Sequence, residues 1–278
     1  SGGCTFCNIR GSAAVQTLGT DNVEEQMQTA IDFARRRYGA KKFMAYIQAF
    51  SATFGKAQQP LYLNLLDQFP FTAVSIGTRP DCITPQALDF LIELNRHIEV
   101  WVELGVQTIH DTTLERVNRG HNWASSERAI ELLHQANISI ALHAILGLPG
   151  ETYESWVEGV EKLLVTGLKN QIFIYHCQVY ENTELADPRY RKQHGIQTRR
   201  IVADIIHAAT QREDWVPEYE ETVVATNTLN QEDWRRAAIF SWTTMLLHSM
   251  KTGFFVMGYL KDRFHISYTD FIRHLSEL

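Results

Sequence analysis

The run SIALHAIL, from Ser139 to Leu146, gives the clearest indication of the fold of this chain. It is short and mostly apolar, and it ends at the turn Gly147-Leu148-Pro149-Gly150. A continuous apolar run of this length is typical of a strand that is covered on both faces. Apolar residues at helical spacing follow from about residue 153 to 165, so the two segments form one strand–helix unit.

The same unit recurs on both sides of this run. Further apolar strands are predicted at 41–50, 72–78, 99–105 and 171–178, with helices at 22–38, 60–69, 85–96 and 125–135. Repeated units of this kind predict an α/β fold, with a parallel sheet and helices outside it. Five strands, with a cysteine loop in front that should follow a sixth, are too few for an eightfold barrel. They predict a partial barrel whose first strand is missing from this chain.

The alternation of strands and helices stops near residue 180. A polar connection at 181–198, a helix around 201–210 and an aromatic, helix-rich tail from 231 are predicted. We therefore expect a partial barrel at 1–178 and a mostly helical C-terminal extension at 179–278. The tail is expected to cover the strand edges and apolar surface that an incomplete barrel leaves open. The aromatic residues expected to form its packing face are Phe240, Trp242, Phe254, Phe255, Tyr259 and Phe264.

Composition narrows the function classes. The 278 residues are 45% apolar and 21% charged, which allows one large core or two smaller ones. A net charge of -6 supplies no basic field of the kind that nucleic-acid-binding proteins usually show. No apolar run approaches the length of a membrane span, and no signal-peptide pattern is visible. Four cysteines, two of them in a close pair, do not resemble a disulfide framework, so a reducing cytoplasm is predicted.

The close pair is the Cys-x-x-Cys motif of Cys4 and Cys7. Two thiolates at this spacing can bind one metal ion or one edge of an iron–sulfur cluster. A redox dithiol of the thioredoxin type and half of a zinc site fit the motif equally well. The glycine-rich entry favours a ligand loop over the start of a redox helix. Because the chain opens on Ser1 rather than methionine, we expect its natural N-terminus, and a further ligand with it, to be missing.

Three motifs, in this order, carry a resemblance to a known family. They are the cysteine run, the strand end ELGVQT from Glu103 to Thr108, and the turn ILGLPGET from Ile145 to Thr152. Together with the runs GTRPDC and NRGH, they resemble the radical S-adenosylmethionine (SAM) enzymes. Residues 1–170 are similar in particular to a poorly characterised family related to the Elongator catalytic subunit and the oxygen-independent coproporphyrinogen oxidases. The resemblance implies a partial barrel of six strand–helix units.

The resemblance also implies a [4Fe-4S] cluster held by three cysteines, of which Cys4 and Cys7 match the second and third. The first would precede Ser1. The fourth iron would bind SAM, and electron transfer would cleave its sulfonium to give a 5′-deoxyadenosyl radical. A flavodoxin or ferredoxin would be the reducing partner. Cys82 and Cys177 are not expected to replace the first ligand, because a free cysteine is most often a small buried apolar residue.

The same resemblance assigns SAM-binding residues to the strand ends. Phe6 lies in the cysteine loop, and Gly147, Leu148 and Gly150 would meet the adenine through their main chain. Glycine lets a main chain approach a ligand closely, although a plain turn between strand and helix is the alternative.

Polar residues complete the implied SAM site. Glu103 and Gln107 are four positions apart, so strict alternation puts both on one face of their strand. Glu103 would accept a ribose hydroxyl and Gln107 would donate to SAM, while the alternative for Glu103 is a basic neighbour inside the barrel. Arg119 would clamp the SAM carboxylate, for which a surface arginine is the alternative. Gln48 would face the SAM amine, although the residues after it depart from the usual glycine-rich acidic run.

The remaining polar residues near strand ends receive no firm role. Arg79 and Asp81 could face cofactor or substrate, or pair with each other. Four histidines are expected to be mostly scaffold, with two of them on barrel strands as inward-facing groups, and no catalytic residue is assigned. These histidines are His110, His121, His143 and His176, of which the last two are on strands.

Residues 180–188, 219–228 and 233–234 are similar to the tail of cobalamin-associated radical SAM proteins, a group that includes methyltransferases. No cobalamin-binding motif is found in this chain. The leading hypothesis is a radical SAM enzyme of unidentified substrate, with cobalamin-assisted methylation as the alternative. A non-catalytic or zinc-binding module is the third hypothesis, and a cysteine upstream of Ser1 would favour the enzyme. The Elongator likeness suggests RNA as a substrate, but the acidic composition adds no support.

Overall fold

The computed structural model describes residues 3–8, 19–20, 22–48, 58–202 and 219–278. Its larger sheet has five parallel strands that are neighbours in chain order. These strands are β1 (Phe43–Ile47), β2 (Phe71–Thr78), β3 (Glu99–Gln107), β4 (Ser139–Leu146) and β5 (Ile172–His176). Because each strand lies beside the next, the sheet curls into part of a barrel. The partial barrel predicted from the sequence is confirmed.

Helices connect the strands. They are α1 (Val23–Tyr38), α2 (Gln59–Gln68), α3 (Pro85–Leu94), α4 (Asp111–Arg116), α5 (Trp123–Gln135) and α6 (Tyr153–Leu164). The start of α6 is fixed by a capping box, in which Thr152 Oγ1 accepts from Ser155 N at 3.1 Å and Ser155 Oγ accepts from Thr152 N at 2.9 Å. The turn between β4 and α6 therefore has a defined length. Among the described residues, no helix combines the length and apolar character that a membrane span requires.

Alternate residues of the central strands point outward and are buried beneath the helices. Val102 and Leu104 on β3 and Leu142 on β4 are fully buried, and they share one apolar cluster with Leu133 and Val160 of the helices. Burial of one such side chain stabilises the fold by about 1.5–3 kcal/mol. The intervening side chains of each strand face the concave side of the half-barrel.

The extension begins with a short helix, α7 (Pro188–His194), and an antiparallel hairpin of β6 (Gln197–Val202) and β7 (Tyr219–Ala225). The helix predicted at 201–210 is wrong at its start, because residues 201 and 202 end β6, and 203–210 lie outside the described residues. Val223 N donates to Cys177 O at 2.8 Å and Val179 N donates to Glu221 O at 2.7 Å. The hairpin therefore pairs with the chain that leaves the carboxyl end of β5.

The tail consists of helices joined by a π-helical turn. Its elements are α8 (Gln231–Thr244), the turn Met245–Ser249, α9 (Phe254–Phe264) and α10 (Tyr268–Ser276). Ser249 Oγ accepts from Ile172 N at 3.0 Å and donates to Ile172 O at 2.9 Å. Trp156 Nε1 on α6 donates to Ser241 Oγ at 3.0 Å. The tail thus covers the outer edge of β5 and packs on α6.

Only part of the predicted aromatic packing face is buried. Phe240 is fully buried in the cluster that contains the barrel residues. Trp242, Phe255, Tyr259 and Phe264 are 51%, 82%, 58% and 59% exposed, so the prediction is wrong for these four. The tail buries other residues in the core, Ala237, Met257 and Ile272 among them, and the bulky rings of these four residues remain outside.

Candidate active site

The cysteine pair lies in a tight turn that two distant parts of the chain hold in place. Cys7 N donates to Cys4 O at 3.0 Å, which closes the turn. Inside the turn, Thr5 N donates to Val117 O at 3.0 Å, and Thr5 O accepts from Leu185 N at 2.9 Å. Val117 follows α4 and Leu185 follows β5, so the loop is bound at the carboxyl ends of the strands. A partial barrel carries its functional groups at that end.

The turn after α4 places Arg119 beside the cysteine pair. Asn118 has a φ of 53°, a left-handed conformation that asparagine tolerates, and its Nδ2 donates to Gly3 O at 2.7 Å. Arg119 follows and is only 8% exposed. Its Nη1 lies 3.4 Å from Cys4 Sγ, and its Nη2 donates to Gly105 O at 2.5 Å. The guanidinium therefore joins the cysteine loop to the end of β3.

His121 holds the remaining side of this guanidinium. Arg119 Nε donates to His121 Nε2 at 3.1 Å, and His121 Nδ1 lies 3.3 Å from Asn122 O. Because Nε2 must accept, the ring is neutral and carries its proton on Nδ1. Burial, and then the charge of Arg119, lower the pKa of His121, which favours the neutral ring.

Gln107 reaches the same place because β3 ends irregularly. The register against β4 shifts between Gly105 and Gln107, and Gln107 has a φ of 71°. A methyl group on Gly105 would lie 2.6 Å from Arg119 Nη2 and 2.7 Å from Gln107 Nε2. Glycine is therefore required for the two side chains to approach the strand. The structure thus brings Cys4, Arg119 and Gln107 together, while their binding of cofactor stays a prediction.

Two thiols beside a buried cation fit two corners of an iron–sulfur cluster. Sulfur donors suit iron and zinc. Burial and the neighbouring Cys4 raise the pKa of Cys7, whereas Arg119 lowers it. Among the described residues, no three histidine, cysteine, aspartate or glutamate side chains gather as a metal site, so neither Cys82 nor Cys177 completes the pair there. Cys177 is 2% exposed and burial raises its pKa to about 12, as expected of a small buried apolar residue.

Arg79 and Asp81 pair with each other next to this region. Arg79 Nε donates to Asp81 Oδ1 at 2.8 Å and its Nη2 donates to Asp81 Oδ2 at 2.6 Å. Burial alone would raise the pKa of Asp81, but the bonds and charge of Arg79 hold it below its usual value. A methyl group on Gly120 would lie 3.1 Å from Arg79 Nη2, so this ion pair supports the turn that carries Arg119.

The turn after β4 requires glycine at two positions: Gly147 for its backbone conformation, and Gly150 for its conformation and for steric reasons. Gly147 has a φ of 96° and Gly150 a φ of 101°, a region that favours glycine. A methyl group on Gly147 would lie 3.5 Å from Cys177 Cβ, and one on Gly150 would overlap Arg116 Nη1. Arg116 Nη1 also donates to Pro149 O at 2.9 Å. These contacts favour the plain-turn alternative for Gly150, and approach of this main chain to adenine stays a prediction.

Leu148 and Phe6 contribute packing to the same region. Leu148 is fully buried in a second apolar cluster with Cys177 and Val223, and Phe6 packs against it. These side chains hold the hairpin and the cysteine loop together. Because the side chain of Leu148 is fully buried, its predicted contact with SAM concerns the main chain, and this contact stays a prediction.

Glu151, which the sequence reasoning did not single out, is buried below this turn. It is 3% exposed, and its Oε1 has no hydrogen-bond partner. Burial raises its pKa to about 7, although Thr108, His110 and Arg116 oppose the rise. Thr228 Oγ1 donates to Glu151 O at 2.7 Å, which ties the turn to the chain after β7. The sequence feature that could have identified Glu151 is its position directly after the Gly147–Gly150 turn at the end of β4.

Glu103 lies in the concave face of the barrel, where each of the five strands contributes to its surroundings. Tyr46 OH donates to Glu103 Oε2 at 3.0 Å and Ser75 Oγ donates to Oε1 at 2.6 Å. His143 Nε2 lies 3.1 Å from Oε2, without the alignment of a hydrogen bond. The His143 ring packs on Tyr175 at 5.3 Å between centroids. Hydroxyl groups and His143, rather than a lysine or arginine, surround Glu103 in the described part of the chain, so the basic neighbour and the ribose contact both stay predictions.

Three other residues singled out in the sequence, His110, His176 and Gln48, make contacts within the fold. His110 Nε2 lies 2.9 Å from Ser155 O. His176 packs against Trp234 of α8 at 5.3 Å, so the expectation that it faces inward is wrong, because even-numbered residues of β5 face the tail. Gln48 lies against β2, where a methyl group on Gly77 would be 3.0 Å from its Cγ. Residues 49–51, which follow Gln48, lie outside the described residues.

The sequence model of the radical SAM superfamily matches residues 1–163. This match covers more than half of the 278 residues, and the chain belongs to the radical SAM superfamily. Membership implies an enzyme that uses SAM and an iron–sulfur cluster.

Protein YhcC of Escherichia coli strain K12 is 38% identical to this chain over 170 residues, which are 60% of this chain and 54% of YhcC. This chain therefore spans about half the length of that relative. The cobalamin-dependent radical SAM methyltransferase TokK of Streptomyces tokunonensis is 25% identical over 175 residues, 63% of this chain and 25% of TokK. The solved structure of archaeal Elp3 from Methanocaldococcus infernus matches with a TM-score of 0.54 at 22% identity, covering 61% of this chain and 45% of Elp3, which shows the shared fold.

Proposed function

We propose that this protein is a radical SAM enzyme that cleaves SAM reductively at a [4Fe-4S] cluster and directs the 5′-deoxyadenosyl radical to a substrate. The observation that carries the proposal is the position of Arg119, which contacts both Cys4 and the end of β3. A buried guanidinium beside a pair of thiols offers a planar fork for a carboxylate next to a metal cluster. Superfamily membership supports the same chemistry.

Each residue of the site has a proposed part. Cys4 and Cys7 would bind two irons of the cluster. Arg119 clamps the carboxylate of SAM, and Gln107 donates to SAM beside it. The main chain at Gly147 meets the adenine. When bound, the cluster supplies the electron that breaks a carbon–sulfur bond of SAM, and a flavodoxin or ferredoxin supplies that electron to the protein.

Anaerobic reconstitution tests the proposal. The protein, expressed with any residues that precede Ser1, is treated with iron and sulfide, reduced with dithionite and incubated with SAM. We expect a brown chromophore and formation of 5′-deoxyadenosine. Cys4→Ala and Cys7→Ala should lose the chromophore, and Cys82→Ala should keep it as the matched control. A colourless zinc protein that forms no 5′-deoxyadenosine would contradict the proposal and favour the non-catalytic module.

Cobalamin-assisted methylation is the second candidate, and the similarity to TokK favours it, because it covers 63% of this chain. The test is titration of the reconstituted protein with hydroxocobalamin, followed by SAM labelled in its methyl group. A shift of the cobalamin absorption spectrum and transfer of label to cobalamin would support this candidate. Unchanged spectra at saturating cobalamin would remove it and leave the first proposal intact.

A further inference from the structure

The concave cluster around Glu103, defined by Tyr46, Glu103, His143 and Tyr175, contains a charge that its fixed neighbours do not balance. Burial alone would raise the pKa of Glu103, but contacts with His143, Ser75 and Tyr46 lower it, so the carboxylate is ionised at neutral pH. The hydroxyl groups of Tyr46 and Ser75 donate without adding charge. In the part of the chain that the structure describes, Glu103 pairs with no lysine or arginine, and His143 balances it only when protonated.

Partly exposed aromatic residues surround this carboxylate. Tyr46 is 52% exposed and Tyr175 is 50% exposed, although both face the concave side of the barrel. Phe173 packs edge-on against His143 at 5.2 Å between centroids. The side chains of Glu103 and His143 each keep 16% of their surface exposed, so the carboxylate can be reached. A carboxylate beside partly exposed tyrosine rings is the chemistry that attracts a cation, because aromatic rings are electron-rich on their faces.

The cluster is separate from the predicted SAM residues. Glu103 precedes Gln107 by four positions, which places it roughly 13 Å farther down the strand at the usual rise per residue. Gln107 folds back over Gly105 toward Arg119, whereas Glu103 points to Tyr46, Ser75 and His143. We therefore expect Glu103 and Gln107, although both lie on β3, to contact different ligands or different parts of one set of bound ligands.

We propose that the concave cluster binds a substrate group that carries a positive charge, such as a protonated amine. This inference rests on the proposed function, since it gives the substrate class of that enzyme. Glu103 supplies the counter-charge, and Tyr46 and Tyr175 supply the aromatic walls. Ser75 and His143 hold the carboxylate in place and are positioning residues.

The test compares three small probes that share one ring. Phenethylamine is cationic at neutral pH, 2-phenylethanol is neutral and 3-phenylpropanoate is anionic. Dissociation constants are measured by ligand-observed NMR without SAM. We expect the amine to bind about tenfold or more tightly than the alcohol, a difference of about 1.4 kcal/mol or more, because only the amine gains a charge-assisted contact with Glu103. Glu103→Gln should remove this preference, and Glu131→Gln, on the exposed face of α5, should keep it.

Several outcomes would overturn the inference. Equal affinity for amine and alcohol, or no binding of the amine, would do so. So would a Glu103→Gln variant that loses SAM affinity but keeps the amine preference, because that result would assign Glu103 to the SAM ribose instead.

If circular dichroism shows that Glu103→Gln is unfolded, a second variant, Tyr175→Leu, tests the inference. It keeps the polar contacts of Glu103 and should weaken amine binding about threefold to tenfold, and an unchanged value would be contradictory. Because these measurements involve no SAM cleavage, failure to form 5′-deoxyadenosine would count against the proposed function alone.

Discussion

Arg119 Nη1 lies 3.4 Å from Cys4 Sγ, although 115 positions separate the two residues in the chain. The buried guanidinium thus donates to two acceptors, the sulfur of Cys4 and the carbonyl oxygen of Gly105. The charge of Arg119 also opposes the rise that burial causes in the pKa of Cys7. The same side chain therefore influences both the cysteine loop and the predicted site of the SAM carboxylate.

The first prediction concerns the shape of this cation. Arg119→Lys keeps the charge but loses the planar fork that contacts Cys4, Gly105 and His121. We expect SAM affinity of the reconstituted protein, measured by calorimetry, to fall about tenfold to a hundredfold while the cluster remains. Arg128→Lys, on the exposed face of α5, should leave SAM affinity unchanged. Equal SAM affinity in wild type and Arg119→Lys would remove Arg119 from the cofactor site.

The second prediction concerns Gly105. Gly105→Ala places a methyl group 2.6 Å from Arg119 Nη2 and 2.7 Å from Gln107 Nε2, so both side chains must move. We expect a folded protein with SAM affinity reduced at least tenfold, measured by calorimetry. Gly258→Ala on α9 meets no atom within 4 Å and should instead stabilise the helix by about 0.5–1 kcal/mol. Normal SAM binding in Gly105→Ala would show that the close approach at Gly105 has no functional role.

The third prediction concerns pH. The pKa of Glu151 is about 7 in the folded chain, above the 4.5 of a free carboxyl, so the folded state retains this proton more strongly. Its stabilisation is complete below pH 4.5 and is lost as pH rises through about 7. Glu151→Gln cannot ionise, so its melting temperature relative to wild type should increase between pH 5 and pH 8. Glu131→Gln serves as the surface comparison, and a difference between Glu151→Gln and wild type that does not change with pH would refute the assignment.

The fourth prediction tests how the tail covers β5. Ser249→Ala removes both hydrogen bonds to Ile172 on the outer edge of that strand. We expect the free energy of unfolding to fall by about 1–3 kcal/mol in urea titrations, because the edge groups of Ile172 lose their partner. Thr243→Ala, whose hydroxyl donates to Ile239 O of its own helix, should change the free energy of unfolding by less than about 0.5 kcal/mol. Similar values for the two variants would mean that the edge is covered by apolar contacts alone.

The barrel was readable from the sequence because its strands are apolar and its turns contain glycine and proline. The strand Ser139–Leu146 has the predicted bounds, since both ends are marked by polar or turn residues. The hairpin was not predicted, because β6 reads QTRRIV, in which polar residues dominate. Its position depends on pairing with the chain after β5, a contact between segments distant in sequence. Local patterns do not contain such pairing.

Part of the candidate site could likewise be predicted from the sequence, and part could not. Arg119 and Gln107 were found through motifs, and the structure brings them together at Gly105. The partners of Glu103 were missed, because Tyr46 is 57 positions away and only the curl of the sheet brings it near. Strand alternation alone would have put Tyr46 and Glu103 on the concave face, but the register between strands cannot be read from either segment.

The bond from Leu185 N to Thr5 O has a consequence for protein engineering. Leu185 lies in the extension rather than in the barrel, yet it holds the cysteine loop on which the proposed chemistry depends. A chimera that joins this barrel to the extension of a homologue would inherit a cysteine loop without its fitted support. Domain exchange within such proteins must therefore transfer the loop and the segment after β5 as one unit.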